Sequence, residues 1–212
     1  LSHNRVLTLL EDQSGALWIG TEGGGLNVFQ PETGQFVSYT ADSNQPDGLG
    51  SNYISALYED ASGMLWIGVY GSHLYKFQRH NAICRHYTYN SYNANTFSHN
   101  TVFAIHEEAD GFLWVGTHGG GLNKIDRRTG KITHYRHDPA NPDSLSHNTI
   151  WSIFEDRSGA LWIGAEGGGI NRFERETERF VHYRHDPLDA QSLSSDAVSV
   201  VYEDRSGLLW IG

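Results

Sequence analysis

The chain has 212 residues, 38% of them hydrophobic and 12% aromatic, which supports a sizeable core and excludes a disordered polypeptide. A formal net charge of −10 excludes nucleic acid as a partner, because phosphate binding needs a cationic surface. Cys84 is the only cysteine, which excludes an intrachain disulfide and a cysteine-based zinc site. In chain order, Val6 to Glu11 is a β-branched and aliphatic run that reads as a strand, ended by a polar turn through Asp12 and Gly15. Leu17 to Thr21 is a second strand, closed by Gly23-Gly24-Gly25. Leu26 to Phe29 is a third, closed by Pro31-Glu32-Thr33-Gly34, and Gln35 to Thr40 is the fourth. A longer polar link, Ala41 to Gly48, then leads into a repetition of the same pattern.

The repetition is gapless. Trp18, Trp66, Trp114, Trp162 and Trp210 recur every 48 residues, as do Gly20, Gly68, Gly116, Gly164 and Gly212. Glu11, Glu59, Glu107, Glu155 and Glu203 keep the same period, and Tyr39, Tyr87, Tyr135 and Tyr183 mark another phase of it. Four short strands, tight turns and one longer link per unit are the signature of a β-propeller blade. A helical solenoid is excluded, since no window shows a useful 3.6-residue apolar period. The expected fold is therefore all-β: four-stranded antiparallel blades at 1–48, 49–96, 97–144 and 145–192, with half a blade at 193–212. Four and a half blades read as an arc of a larger ring whose closure needs more sequence or another chain. No apolar run approaches the roughly 20 residues of a membrane helix, and no signal peptide is present. The chain opens on Leu1, so its compartment is not legible from its ends.

A lone four-stranded sheet has two faces to bury, and neighbouring blades supply the cover. Trp18 and its equivalents are expected to fill the space between blades. The recurring glycines serve turns of positive φ or close backbone approach. Asp12, Asp60, Asp156 and Asp204 stand where a carboxylate can accept from turn amides. The Glu11 series, near the turn-rich end of the innermost strand, is expected to bond to its own turn rather than form an acidic ring. Cys84 shares a slot with Phe36, Ile132 and Phe180 and reads as a small buried apolar group. His3, His99 and His147, with Asn4, Asn52, Asn100 and Asn148, read as loop caps.

The phrases Leu-Ser-His-Asn-x-Val/Ile, Glu-Asp-x-Ser-Gly-x-Leu-Trp-Ile-Gly and Glu-Gly-Gly-Gly-Leu/Ile-Asn recur in phase along the whole chain. In them the chain resembles the two-component regulator propeller repeat, found in extracytoplasmic sensor regions of bacterial hybrid histidine kinases. The resemblance implies seven-bladed propellers, often in tandem, followed by a Y-shaped immunoglobulin-like module, a membrane helix and a kinase. It also implies periplasmic exposure, an oligosaccharide or other small-molecule ligand, and no catalysis by this segment. The implied partners are the remaining blades, the downstream signalling domains and a possible second copy in a homodimer.

Blade connectivity puts the link between blades and the loop after the second strand on one end. Loops on a rigid scaffold are where binding resides, and a ligand breaks the symmetry of repeated copies. Loop-face positions that differ between copies are therefore the candidates. At the end of the second strand stand Glu22, Tyr70, His118 and Glu166; early in the first stand Arg5, Tyr53, Thr101, Thr149 and Ala197. One step inside that strand the size varies widely, through Leu7, Ser55, Phe103, Trp151 and Ser199. The second copy departs furthest, with Val69-Tyr70-Gly71-Ser72-His73 in place of the glycine loop. The ligand-binding candidates are Arg5, Glu22, Tyr53, Tyr70, His73, His118, Trp151 and Glu166: aromatic rings to stack on sugars, polar groups to bond to hydroxyls.

Other patterns carry less. Gly23-Gly24-Gly25 leads into a strand, whereas a phosphate cradle needs a helix N-terminus. His134 and His137, like His182 and His185, lie three apart on a strand and point to opposite faces, so no metal is expected. No cofactor and no catalytic residues are expected, since no nucleophile–base spacing occurs. A protein-interaction scaffold is the alternative reading. A further one is a propeller enzyme similar to the streptogramin lyases, for which His118 and Glu166 are the matching residues.

Overall fold

The computed structural model describes residues 1–45, 48–78, 83–90, 92–93 and 95–212, with the backbone alone for Ile83 and Cys84. The slot assigned to the Cys84 side chain lies outside the described residues. The first blade holds β1 (Val6–Glu11), β2 (Leu17–Thr21), β3 (Leu26–Gln30) and β4 (Gln35–Tyr39), within one residue of the boundaries read from sequence. The second holds β5 (Ile54–Glu59), β6 (Leu65–Val69), β7 (Leu74–Gln78) and β8 (Ile83–Tyr87). The third holds β9 (Val102–Glu107), β10 (Phe112–Thr117), β11 (Gly121–Asp126) and β12 (Ile132–Tyr135). The fourth holds β13 (Ile150–Glu155), β14 (Leu161–Ala165), β15 (Gly169–Glu174) and β16 (Arg179–Tyr183). Each set is a four-stranded sheet with strands in sequence order, and β17 (Val201–Glu203) pairs with β18 (Leu209–Ile211). These are the blades of a β-propeller. The chain divides into two units, Leu1–Glu107 and Glu108–Gly212.

Each blade buries the next. In the first unit Trp18 and Leu26 share a core with Ile54, Leu65, Ile67 and Phe77 of the second blade. The Trp18 ring stacks on Tyr39 at 6.2 Å and meets Phe77 edge-on at 6.0 Å, geometries the aromatic quadrupole favours. The second unit repeats the arrangement, with Trp114 packed against Leu161, Ile163 and Phe173. Gly20 shows why no side chain is tolerated after the tryptophan motif. A Cβ there would stand 2.8 Å from Ile54 Cγ2, a stiff β-branched group on the adjoining blade. Burial therefore comes from the neighbour: Leu9 on the first blade is 60% exposed, whereas its counterpart Ile105 is 9% exposed.

The turn after the first strand is organised by its aspartate. Asp12 Oδ1 accepts from the Ser14 amide at 2.8 Å and the Ala16 amide at 3.0 Å, while Oδ2 accepts from Trp18 Nε1 at 2.6 Å. Asp60, Asp156 and Asp204 repeat the set, each accepting from its tryptophan indole. Burial opposes ionisation of Asp12 and Asp156, but the serine, indole and amide bonds outweigh it and lower both pKa values. A carboxyl depressed by folding adds stability above its ordinary pKa, and that stability is lost as pH falls through the folded value. The stability gap between the native chain and Asp156→Asn is therefore expected to be full at pH 7 and to shrink below about pH 4. Denaturant titrations at several pH values would show it, and a gap constant to pH 2 would contradict it.

The third blade departs from the pattern. Glu108 takes the aspartate slot, and its carboxylate pairs instead with Arg175 at 2.8 Å. Trp114 Nε1 is consequently buried without a hydrogen-bond partner among the described residues. The Glu11 series also corrects the sequence reading. Glu59, Glu107 and Glu203 bond not to their own turns but to the turn of the preceding blade. Glu59 accepts from the Gln13 amide at 2.6 Å, Glu107 from Ala61 at 2.7 Å and Glu203 from Arg157 at 2.8 Å. The local turn's amides are already taken by its aspartate, so the nearest orphan donor belongs to the adjacent blade.

Candidate functional site

In the first, second and fourth blades a backbone bond joins the loop after the second strand to the entry of the first strand. The Glu22 amide donates to Arg5 O at 3.0 Å, Tyr70 to Tyr53 O at 3.0 Å and Glu166 to Thr149 O at 3.1 Å. Two positions chosen separately from sequence are thus one site in each of these three blades, filled differently each time. In the first blade the pair is ionic, with Arg5 Nη1 2.7 Å from Glu22 Oε2. In the second it is aromatic, with the Tyr53 and Tyr70 rings 4.8 Å apart. Tyr70 also lies 6.2 Å from the Phe103 ring, and 44% of its surface remains exposed. Glu22 and Tyr53 form an isolated antiparallel bridge, so the ion pair and the aromatic strip adjoin within the first unit.

The second blade is rewired beneath this strip. In the first and fourth blades a buried asparagine holds the incoming link: Asn27 accepts from the Ser2 amide at 3.0 Å and Asn171 from Ser146 at 2.9 Å. Tyr75 replaces the asparagine, and its hydroxyl accepts from the Gly50 amide at 2.9 Å. A side chain at 50 would collide with the Tyr75 hydroxyl, which is why glycine stands where the other copies have Ser2, Ser98 and Ser146. Tyr75 meets His86 edge-on at 4.7 Å, and His73 lies 5.9 Å from His86. Burial, followed by the nearby His86, lowers the His73 pKa and keeps the ring neutral. Its Nδ1 is buried with no hydrogen-bond partner among the described residues.

The chain matches the two component regulator propeller family over residues 1–23, 48–71, 96–119 and 144–167. Those four segments are two component regulator propeller repeats. No curated protein matches the sequence. Among solved structures, the propeller repeats are similar to the extracellular domain of the putative hybrid two component system BT4673 from B. thetaiotaomicron, with TM-score 0.79 and 22% identity over 99% of this chain and 26% of that one. The corresponding domain of BT3049 from the same organism gives TM-score 0.76 and 20% identity over 100% of this chain and 32% of that one. Virginiamycin B lyase from Staphylococcus aureus has TM-score 0.69 and 15% identity over 99% of this chain and 64% of that one. At such identities the likeness is one of fold. The chain spans about a quarter to a third of the two sensor domains.

Within the second unit of this propeller, His118 and Glu166 are exposed, and Trp151 is half-buried outside the core cluster. The Gly119 amide beside His118 donates to Thr149 Oγ1 at 3.2 Å, so this turn is tied to the entry of the fourth blade through backbone and threonine. Of the histidines and asparagines read as caps, the three histidines and Asn52 and Asn148 do cap, whereas Asn100 Oδ1 is buried with no hydrogen-bond partner among the described residues. His3, His99 and His147 accept through Nδ1 from the amides of Arg5, Thr101 and Thr149, and Asn52 and Asn148 accept from Ala41 and His137. His137 and His185 each donate through Nδ1 to a backbone carbonyl, of Leu145 and Leu193. Sequence reasoning left Gly50 and Tyr75 out of the site. Their joint departure from the serine and asparagine of the other copies was the available signal.

Proposed function

We propose that this segment is part of an extracytoplasmic sensor propeller and binds a carbohydrate or similar small ligand on its loop-rich face. The observation that carries the reading is the strip in the first unit, where the Arg5–Glu22 pair adjoins Tyr53, Tyr70 and Phe103. Partly exposed aromatic faces beside fixed hydrogen-bonding groups suit a sugar, whose C–H faces stack while its hydroxyls bond at the rim. Membership of the regulator propeller family supports a sensing role, with the signal passed to domains outside this segment. Placement outside the cytoplasm is supported by the extracellular domains that share the fold.

The test is calorimetric titration of the complete receptor propeller with an oligosaccharide panel, repeated on Tyr70→Ala. A binder is expected, and the truncation should weaken it by about 30-fold, the scale of an interface anchor. Silence across the glycan panel, or unchanged affinity in Tyr70→Ala, would remove the reading.

A further inference from the structure

The second unit contains a groove of about 400 Å³ against the outer strand of the fourth blade, and none of the candidates considered above lines it. Tyr135, Arg136, Asp138, Asp143, Glu178 and Arg179 line it. Its wall is the turn into β16, and that turn holds an anomaly. Glu178 has φ 53°, making it the one non-glycine with positive φ among the described residues. Two other copies place glycine at the same point, Gly34 at 67° and Gly130 at 74°. A glutamate in left-handed backbone is strained where glycine is not, and such strain is retained where a side chain is needed.

The side chain has a definite placement. Glu178 Oε1 accepts from the Tyr135 hydroxyl at 3.0 Å, tying the groove's two walls together. Burial, then the Glu178 carboxylate, raises the Tyr135 pKa, so the phenol keeps its proton. Arg179 Nη1 pairs with Asp143 Oδ2 at 3.2 Å, and the Phe180 amide donates to Asp143 O at 2.9 Å, which pins the link against the strand edge. Arg136 has no ion-pair partner among the described residues. The groove therefore presents two guanidiniums and three carboxylates, interleaved.

That chemistry selects a ligand class. A charged ligand would face opposed signs at close range, whereas a neutral polyol can donate to a carboxylate and accept from a guanidinium through neighbouring hydroxyls. The volume lies in the usual range for small-ligand clefts, about 300–1,000 Å³, and suits one or two sugar rings. We propose that the groove walled by Glu178 and Tyr135 is a second binding site, for a neutral polyhydroxylated ligand, built from none of the residues of the Arg5–Tyr70 strip.

Maltose, lactose and cellobiose, with glucuronate and glucosamine as charged comparators, can be titrated into the isotope-labelled chain and followed by amide chemical shifts. Shifts centred on Thr177–Phe180 and Tyr135 are expected with a neutral disaccharide and should persist in Tyr70→Ala, which keeps this site's fate separate from that of the loop face. Glu178→Gly relieves the strained backbone, so it should melt no lower than the native chain while its affinity falls about tenfold or more, the loss expected for a charged hydrogen-bonding group. The proposal is overturned if no neutral disaccharide moves these resonances, if only the charged comparators do, or if Glu178→Gly binds as the native chain does.

Discussion

Replacing Trp114 with alanine is expected to destabilise the chain by about 3–5 kcal/mol. The side chain is fully buried. Its ring lies 5.6 Å from Tyr135 and meets Phe173 of the following blade edge-on at 5.0 Å, with Lys124 Nζ 5.0 Å above it. Truncation removes the filler between two blades, and their stiff strand backbones cannot collapse onto the void. None of this loss involves the indole N–H, which has no partner here. Trp114→Phe should therefore cost little beyond lost volume. Trp66→Phe, by contrast, leaves Asp60 Oδ2 without the indole that reaches it at 2.8 Å and should cost about 1–3 kcal/mol more. Equilibrium urea unfolding of the three variants measures the order. A Trp114→Ala cost under about 1 kcal/mol would refute the role of the ring as inter-blade filler.

Gly121→Ala is the second large effect, at about 3–4 kcal/mol. Gly121 has φ 82°, and a Cβ there would overlap the Tyr135 carbonyl oxygen on the next strand. Relief requires moving a residue whose amide donates to Asn148 O at 2.7 Å and whose carbonyl accepts from Thr117 Oγ1 at 2.8 Å. Backbone strain and two disturbed bonds thus add together. Gly119 isolates the first contribution: its φ is 78°, but nothing lies within 4 Å of the point a methyl carbon would occupy, so Gly119→Ala should cost only about 1–2 kcal/mol. Equal costs for the two alanines, measured by thermal or urea unfolding, would contradict the steric argument. The second blade shows the same rule from the other side. His73 stands in the slot of Gly25, Gly121 and Gly169, and the loop there keeps positive φ at Gly71 without requiring it at His73.

Strand positions were legible because their signals are local. Alternation, turn chemistry and a gapless period placed β1 to β4 to within one residue. The variable loop positions were legible as single candidates, yet their pairing was not. Arg5 and Glu22, like Tyr53 and Tyr70, become neighbours only through the antiparallel register of the flanking strands, in which Val6 faces Thr21 and Ile54 faces Val69. The destination of the Glu11 series was illegible for a related reason. The donors of its own turn are nearer in sequence, yet the amides it bonds lie 46 residues away, because the turn aspartate has already satisfied the local ones.

The sequence by itself determined the blade: its strand order, its turns, its tryptophan anchor and the family to which the repeats belong. All of these follow from residue spacing along one chain, which short-range sterics and hydrogen bonding translate directly into local structure. Tertiary structure alone decided which carboxylate bridges to which blade, that Gly50 and Tyr75 are one coupled replacement, and that Glu178 holds a strained turn against Tyr135. Those outcomes depend on residues brought together from different blades, where packing and the competition for donors, rather than propensity, set the result.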